Sequence, residues 1–142
     1  MSDFFSKSHR QLQREYNTTR LADRLLDSAV TERLSDKQSA FIHQRNMFFL
    51  STVDEFGFPT CSYKGGHTGF VRVINNNKLV FPSYDGNGMF LSVGNIESHN
   101  KVGMLFMDFG TPQRLRVTGQ ARCVSTGSIV DSYPGADLVV EV

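Results

Sequence analysis

From Phe48 onward the chain is a series of short runs rich in valine, phenylalanine and threonine. Glycine, proline and asparagine turns cut it about every 8 to 12 residues. Connections that short leave no room for the crossover helix that parallel strands need, so they predict antiparallel pairing. Phe48-Phe49-Leu50-Ser51-Thr52-Val53 reads as one strand, and Asp54 to Pro59 supplies the turn into its partner, Thr60 to Lys64. Val71 to Ile74 and Leu79 to Ser83 form a second pair across Asn75-Asn76-Asn77. Val102 to Asp108 is mostly apolar, which predicts burial on both faces. Gly110-Thr111-Pro112 then turns the chain into a strand-rich stretch from Arg114 to Val124. The last run, Leu138-Val139-Val140-Glu141-Val142, stops in mid-strand and reads as a C-terminal truncation or a short edge strand.

Helical periodicity is confined to three places. Residues 10–30 carry an approximate apolar stripe through Leu12, Tyr16, Leu21, Leu25 and Ala29, predicting one helix. Ser35 followed by Gln38 is a capping-box signature for a short helix to about Gln44. Met89 to Ser98 predicts a third helix, after the fourth strand. The expected fold is therefore α+β: a small antiparallel β-barrel or sandwich with N-terminal helices and one inserted helix, which the resemblance given below narrows to a split barrel. Residues 1–45 form the N-terminal helical segment, expected to pack on the barrel, and 46–142 the barrel itself, within a single domain.

Composition removes several classes of function. Fifteen basic residues oppose fourteen acidic ones, so net charge points to neither nucleic acid nor an anionic membrane. No apolar run is long enough to span a bilayer, and no signal-peptide pattern opens the chain, so a cytoplasmic protein is expected. Cys61 and Cys123 form no CxxC pair and read as reduced thiols. His9, His43, His67 and His99 lack ligand spacing, so no metal is expected, and no nucleophile elbow supports a hydrolase triad.

The chemistry-bearing pattern is a possible anion site. Phe81-Pro82-Ser83-Tyr84-Asp85-Gly86-Asn87-Gly88-Met89 takes a strand through a glycine turn into a helix, where unpaired N–H groups and the helix dipole favour negative charge. The turn has neither the third Rossmann glycine, Leu91 standing there, nor a Walker lysine. Strand alternation places Thr60, Ser62 and Lys64 on one face, and Arg114, Arg116 and Thr118 on another. Either strand alone reads more simply as a solvated face. Together with the turn they would surround one phosphate with cations, hydroxyls and backbone donors.

The ordered set Phe48 to Val53, Ser62-Tyr63-Lys64-Gly65-Gly66, Phe70 to Val73, Asp85 to Phe90, Gly94-Asn95-Ile96, Val102 to Phe109 and Arg114 to Gly119 resembles the pyridoxamine 5′-phosphate oxidase-like family of flavin-binding split barrels. The likeness is to its small bacterial branch. It implies a homodimer with FMN at the subunit interface, acting as a flavin-dependent oxidoreductase on a small molecule, with NADH or NADPH as a possible donor. A non-catalytic module for flavin, haem or another planar cofactor is the alternative. By the same resemblance, FMN contacts fall on Ser62, Lys64, Ser83, Asn87 and Gly88. Arg114 and Arg116 match polar positions on the strand that approaches the flavin. The authentic oxidase carries an Arg-Lys pair where this chain has Gly88-Met89, so phosphate charge must come from Lys64 or Arg116. Its C-terminal substrate-binding segment has no counterpart before Val142, so oxidation of vitamin B6 is not expected.

Overall fold

The computed structural model describes residues 4–84 and 88–142, and divides into two compact units, Met1–Arg33 and Leu34–Val142. The first unit is a pair of helices, α1 (Lys7–Glu15) and α2 (Thr19–Ala29), where the sequence predicts one. The break falls at Asn17, which takes a left-handed conformation (φ 57°) that asparagine tolerates better than most residues. Ser6 and His9 close a capping box on α1, and Arg10 reaches from α1 to Asp23 on α2 at 2.7 Å.

The second unit is the split barrel. Helix α3 (Asp36–His43) begins at the predicted Ser35–Gln38 capping box. Eight strands follow: β1 (Met47–Val53), β2 (Pro59–Gly65), β3 (Arg72–Asn75), β4 (Lys78–Ser83), β5 (Lys101–Met107), β6 (Arg114–Gln120), β7 (Arg122–Val124) and β8 (Leu138–Glu141). Helix α4 (Leu91–Ser98) is inserted after β4, and the short α5 (Ser128–Asp131) precedes β8. The strands form two antiparallel four-stranded sheets, ordered β2-β1-β5-β6 and β3-β4-β8-β7.

Three strand expectations change. The stretch from Arg114 to Val124 is two strands, because the chain leaves the first sheet at buried Ala121 and enters the second as β7. There the Ala121 N–H donates to the Asn100 carbonyl at 2.7 Å. Strand β8 is not an edge strand, since it pairs with β4 on one side and β7 on the other. Glu141 fastens it by accepting from Arg122 at 2.9 Å and approaching Lys78 at 3.2 Å, contacts that hold its carboxyl below the usual range. Strand β5 is fully buried on one face only: Val102, Met104 and Phe106 point inward, while Gly103, Leu105 and Met107 are half-buried on the outer face.

The core is built round Phe48. Its ring lies 5.0 Å from Phe81 of the facing sheet, 5.3 Å from Phe106 on β5, and 5.9 Å from Phe70 in the β2–β3 connection. Phe70 is itself fixed, because the Tyr133 hydroxyl donates to its carbonyl at 2.6 Å and Arg72 covers the Tyr133 ring at 3.8 Å.

Helix α4 is held to the first sheet partly by polar contacts. Thr52 stands on the core face of β1 beside Phe48 and Leu50 and is 1% exposed. Asn95 of α4 donates to its hydroxyl at 3.0 Å, and that hydroxyl shares a second hydrogen bond with the Thr60 hydroxyl on β2 at 2.6 Å. Buried polar atoms without partners cost more than such bonds gain, so the ladder is sensitive to loss of any one member. Thr52→Val should lower stability by about 1–3 kcal/mol in urea unfolding. An unchanged midpoint would show that the ladder is not needed to seat α4.

Candidate functional site

Where β2 and β4 end, the two sheets part beneath α4 and leave a cavity of about 220 Å³. Its apolar wall includes Leu50, Phe81, Ile96 and Val140, and its polar residues are Lys64, Ser83 and Ser92 with the tyrosines Tyr63 and Tyr84. Strand alternation sets this arrangement. Lys64 lies opposite Phe48, Ser62 opposite Leu50 and Thr60 opposite Thr52, so all three of these β2 residues share the core-facing side of the sheet.

Lys64 is half-buried, and burial draws its pKa below the ordinary lysine value. Among the described residues no carboxylate pairs with it. Beside it the Ser62 and Ser92 hydroxyls lie 3.2 Å apart, linking β2 to the first turn of α4. Ser83, the last residue of β4, lines the same cavity. Helix α4 starts without a side-chain cap, so the N–H groups of Leu91, Ser92 and Val93 keep donor capacity. The turn before it contains Gly88 (φ 74°) and Phe90 (φ 53°), both left-handed. For a phenylalanine that conformation costs on the order of 1–3 kcal/mol.

Of the residues expected to bind a cofactor, Lys64 and Ser83 line the cavity, and Ser62 reaches it through its hydroxyl contact with the lining residue Ser92. Gly88 stands in the turn ahead of α4 with open space where a side chain would project. Asn87 lies outside the described residues. Arg114 and Arg116 are not brought to the cavity within one chain. They lie exposed on the outer face of β6, and β1 and β5 separate that strand from β2. The sequence reading missed Ser92 and the Thr52–Asn95 contact. Thr52 gave a usable signal, a polar residue in phase with Phe48 and Leu50, whereas Ser92 on a weakly patterned helix gave none.

The Cys123 thiol is pushed up to about 11 by burial and the Glu97 carboxylate, so it stays protonated and a poor nucleophile. Among the described residues no three His, Cys, Asp or Glu side chains group as a metal site requires. None of their helices is long and apolar enough to cross a membrane.

The fold has solved counterparts. HupZ of Group A Streptococcus superposes with a TM-score of 0.62 at 18% identity, covering 77% of this chain and 87% of that one. A candidate pyridoxamine 5′-phosphate oxidase from Lactobacillus delbrueckii gives 0.62 at 21% identity, covering 80% and 91%. HutZ, the haem storage protein of Vibrio cholerae, gives 0.50 at 20% identity, covering 77% and 87%. At such identities it is the fold that is shared. No curated protein matches by sequence. The family profile described as pyridoxamine 5′-phosphate oxidase matches residues 34–139, a span that runs from just before α3 into β8. A match over well over half the chain, on a split barrel of the same architecture, shows that this chain belongs to the pyridoxamine 5′-phosphate oxidase family.

Proposed function

We propose that the protein binds FMN and works as a flavin-dependent oxidoreductase on a small molecule. The observation that carries this reading is Lys64, a half-buried cation in a cavity with no carboxylate partner among the described residues. Partly desolvating an ammonium that has no carboxylate partner among the described residues carries a cost, which a phosphate would offset. The donor set fits that group: Lys64 for charge, the Ser62, Ser83 and Ser92 hydroxyls, and the free N–H groups of α4. An anion beside Lys64 would also favour its protonated form, opposing the effect of burial. Gly88 and Met89 bring no side-chain charge, so Lys64 bears that role from within its own chain.

FMN, when bound, supplies the hydride and electron transfer, and the protein supplies position and electrostatics. NADH or NADPH is the proposed electron donor. Flavin is favoured over haem because, among the described residues lining the cavity, none is histidine, cysteine or methionine, which leaves Tyr63 and Tyr84 as the iron ligands on offer there. A carrier of flavin or another planar cofactor without turnover is the second reading. Reduction of the bound flavin by NADH or NADPH and reoxidation by a defined acceptor separates the two.

The proposed assembly is a homodimer with the cofactor at its interface. The outer face of the first sheet presents half-buried Phe49, Leu105 and Met107 beside exposed Arg114 and Arg116. The two arginines would serve the cavity of a second copy, Arg114 stabilising negative charge on the reduced flavin.

Lys64→Ala should weaken FMN about ten- to a hundredfold, the cost of roughly 1.5–3 kcal/mol for a charged hydrogen bond. Riboflavin, lacking the phosphate, should be little affected, and Lys64→Arg should restore the preference. Equal weakening of both ligands, read by titration, would remove the phosphate role. Leu105→Glu tests the assembly, since Arg116 directly across the strand pair accommodates the new charge in the monomer. The variant should run as a folded monomer in light scattering and lose FMN affinity at least about tenfold. Unchanged mass and affinity would contradict the interfacial site.

A further inference from the structure

A cavity of about 220 Å³ is smaller than the roughly 300–1,000 Å³ that encloses a drug-sized ligand. It has room for an anionic tail beside Lys64, and a larger flat ring system attached to that tail must lie across the rim. The residue that meets the rim from the strand is Tyr63. Neighbouring strand residues face opposite sides, so Lys64 is turned inward while Tyr63 is turned outward opposite Phe49.

Tyr63 is 64% exposed. Exposure of one aromatic residue is ordinary and signifies nothing alone. Its fixed placement sets it apart. The ring is folded along the strand over Gly65, so close that a Cβ at position 65 would meet the Tyr63 Oη at 2.6 Å and Cε1 at 2.8 Å. Its side is braced by Phe49, at 6.5 Å between ring centroids in an edge-on arrangement. Tyr63 and Gly65 both line the cavity. The absent side chain of Gly65 thus provides a seat for a flat, solvent-facing ring one residue from Lys64.

We propose that Tyr63 is a specificity-determining residue of this site, stacking on the planar aromatic part of the ligand whose anionic end Lys64 holds. The inference rests on the flavin reading above. Adjacent residues of one strand would then read the two chemically different ends of one molecule.

The test compares Tyr63→Leu, Tyr63→Phe and Gly65→Ala with the wild type, titrated with FMN and with riboflavin by flavin fluorescence. A tyrosine in contact with the flavin ring quenches its emission, so the wild type should quench on binding. Tyr63→Leu should lose affinity for FMN and riboflavin alike, roughly tenfold, with the quenching relieved. Tyr63→Phe should keep most of the affinity. In Gly65→Ala the new Cβ displaces only the flexible end of Tyr63, so the barrel should fold as before and show the same loss as Tyr63→Leu. Wild-type affinity and quenching in Tyr63→Leu would overturn the role of Tyr63 while leaving the flavin reading intact. Failure of the wild type to bind either flavin would overturn both.

Discussion

The barrel depends on the contact of Phe48 with the opposite sheet. Phe48 meets Phe81 across the interior and Phe106 beside it, and that packing fixes which side of β1 faces in. Side chains in a strand alternate, so a slip of one residue would exchange Phe48, Leu50 and Thr52 for Phe49, Ser51 and Val53. Through the β1–β2 pairing the same choice turns Lys64 inward and Tyr63 outward. The chemistry of the site is therefore set by a packing decision made one strand away. A bulky aromatic residue burying on the order of 150–250 Å² makes that decision firmly.

Around this core the structure spends polar contacts where apolar ones would be simpler. Thr52, Thr60 and Asn95 connect α4 to the two hairpin strands, and Ser62 and Ser92 make a second link nearer the cavity. Such bonds contribute little net stability, about 1 kcal/mol each, but they fix direction. They hold α4 so that its first turn overlooks the cavity that contains Lys64. A purely apolar seat could let the helix rotate, which would move its free N–H groups away from the site.

Much of the fold was legible because local rules and tertiary packing agree. The capping box at Ser35, the β1–β2 turn and the asparagine turn after β3 each have a local cause that survives folding. The failures are places where local pattern says nothing about partners. Nothing in the run through Gln120, Ala121 and Arg122 marks a change of sheet, and Leu138 to Glu141 looks the same whether one neighbour or two pair with it. The break at Asn17 interrupts a stripe that stays apolar on both sides. In the site, alternation correctly grouped Ser62 with Lys64. It could not show that Arg114 and Arg116 face away from the cavity of their own chain, because that depends on strand order.

Membership of the pyridoxamine 5′-phosphate oxidase family is shown by a match that spans the barrel, and the proposed ligand chemistry rests on Lys64, which has no carboxylate partner among the described residues. The most direct measurement is the visible spectrum of the purified protein after FMN is added and the excess removed, with mass spectrometry of what denaturation releases. The account predicts the two-banded absorbance of a bound oxidised flavin and release of one FMN per cavity. A protein that emerges colourless, or with the Soret band of haem and no capacity for flavin, would contradict it.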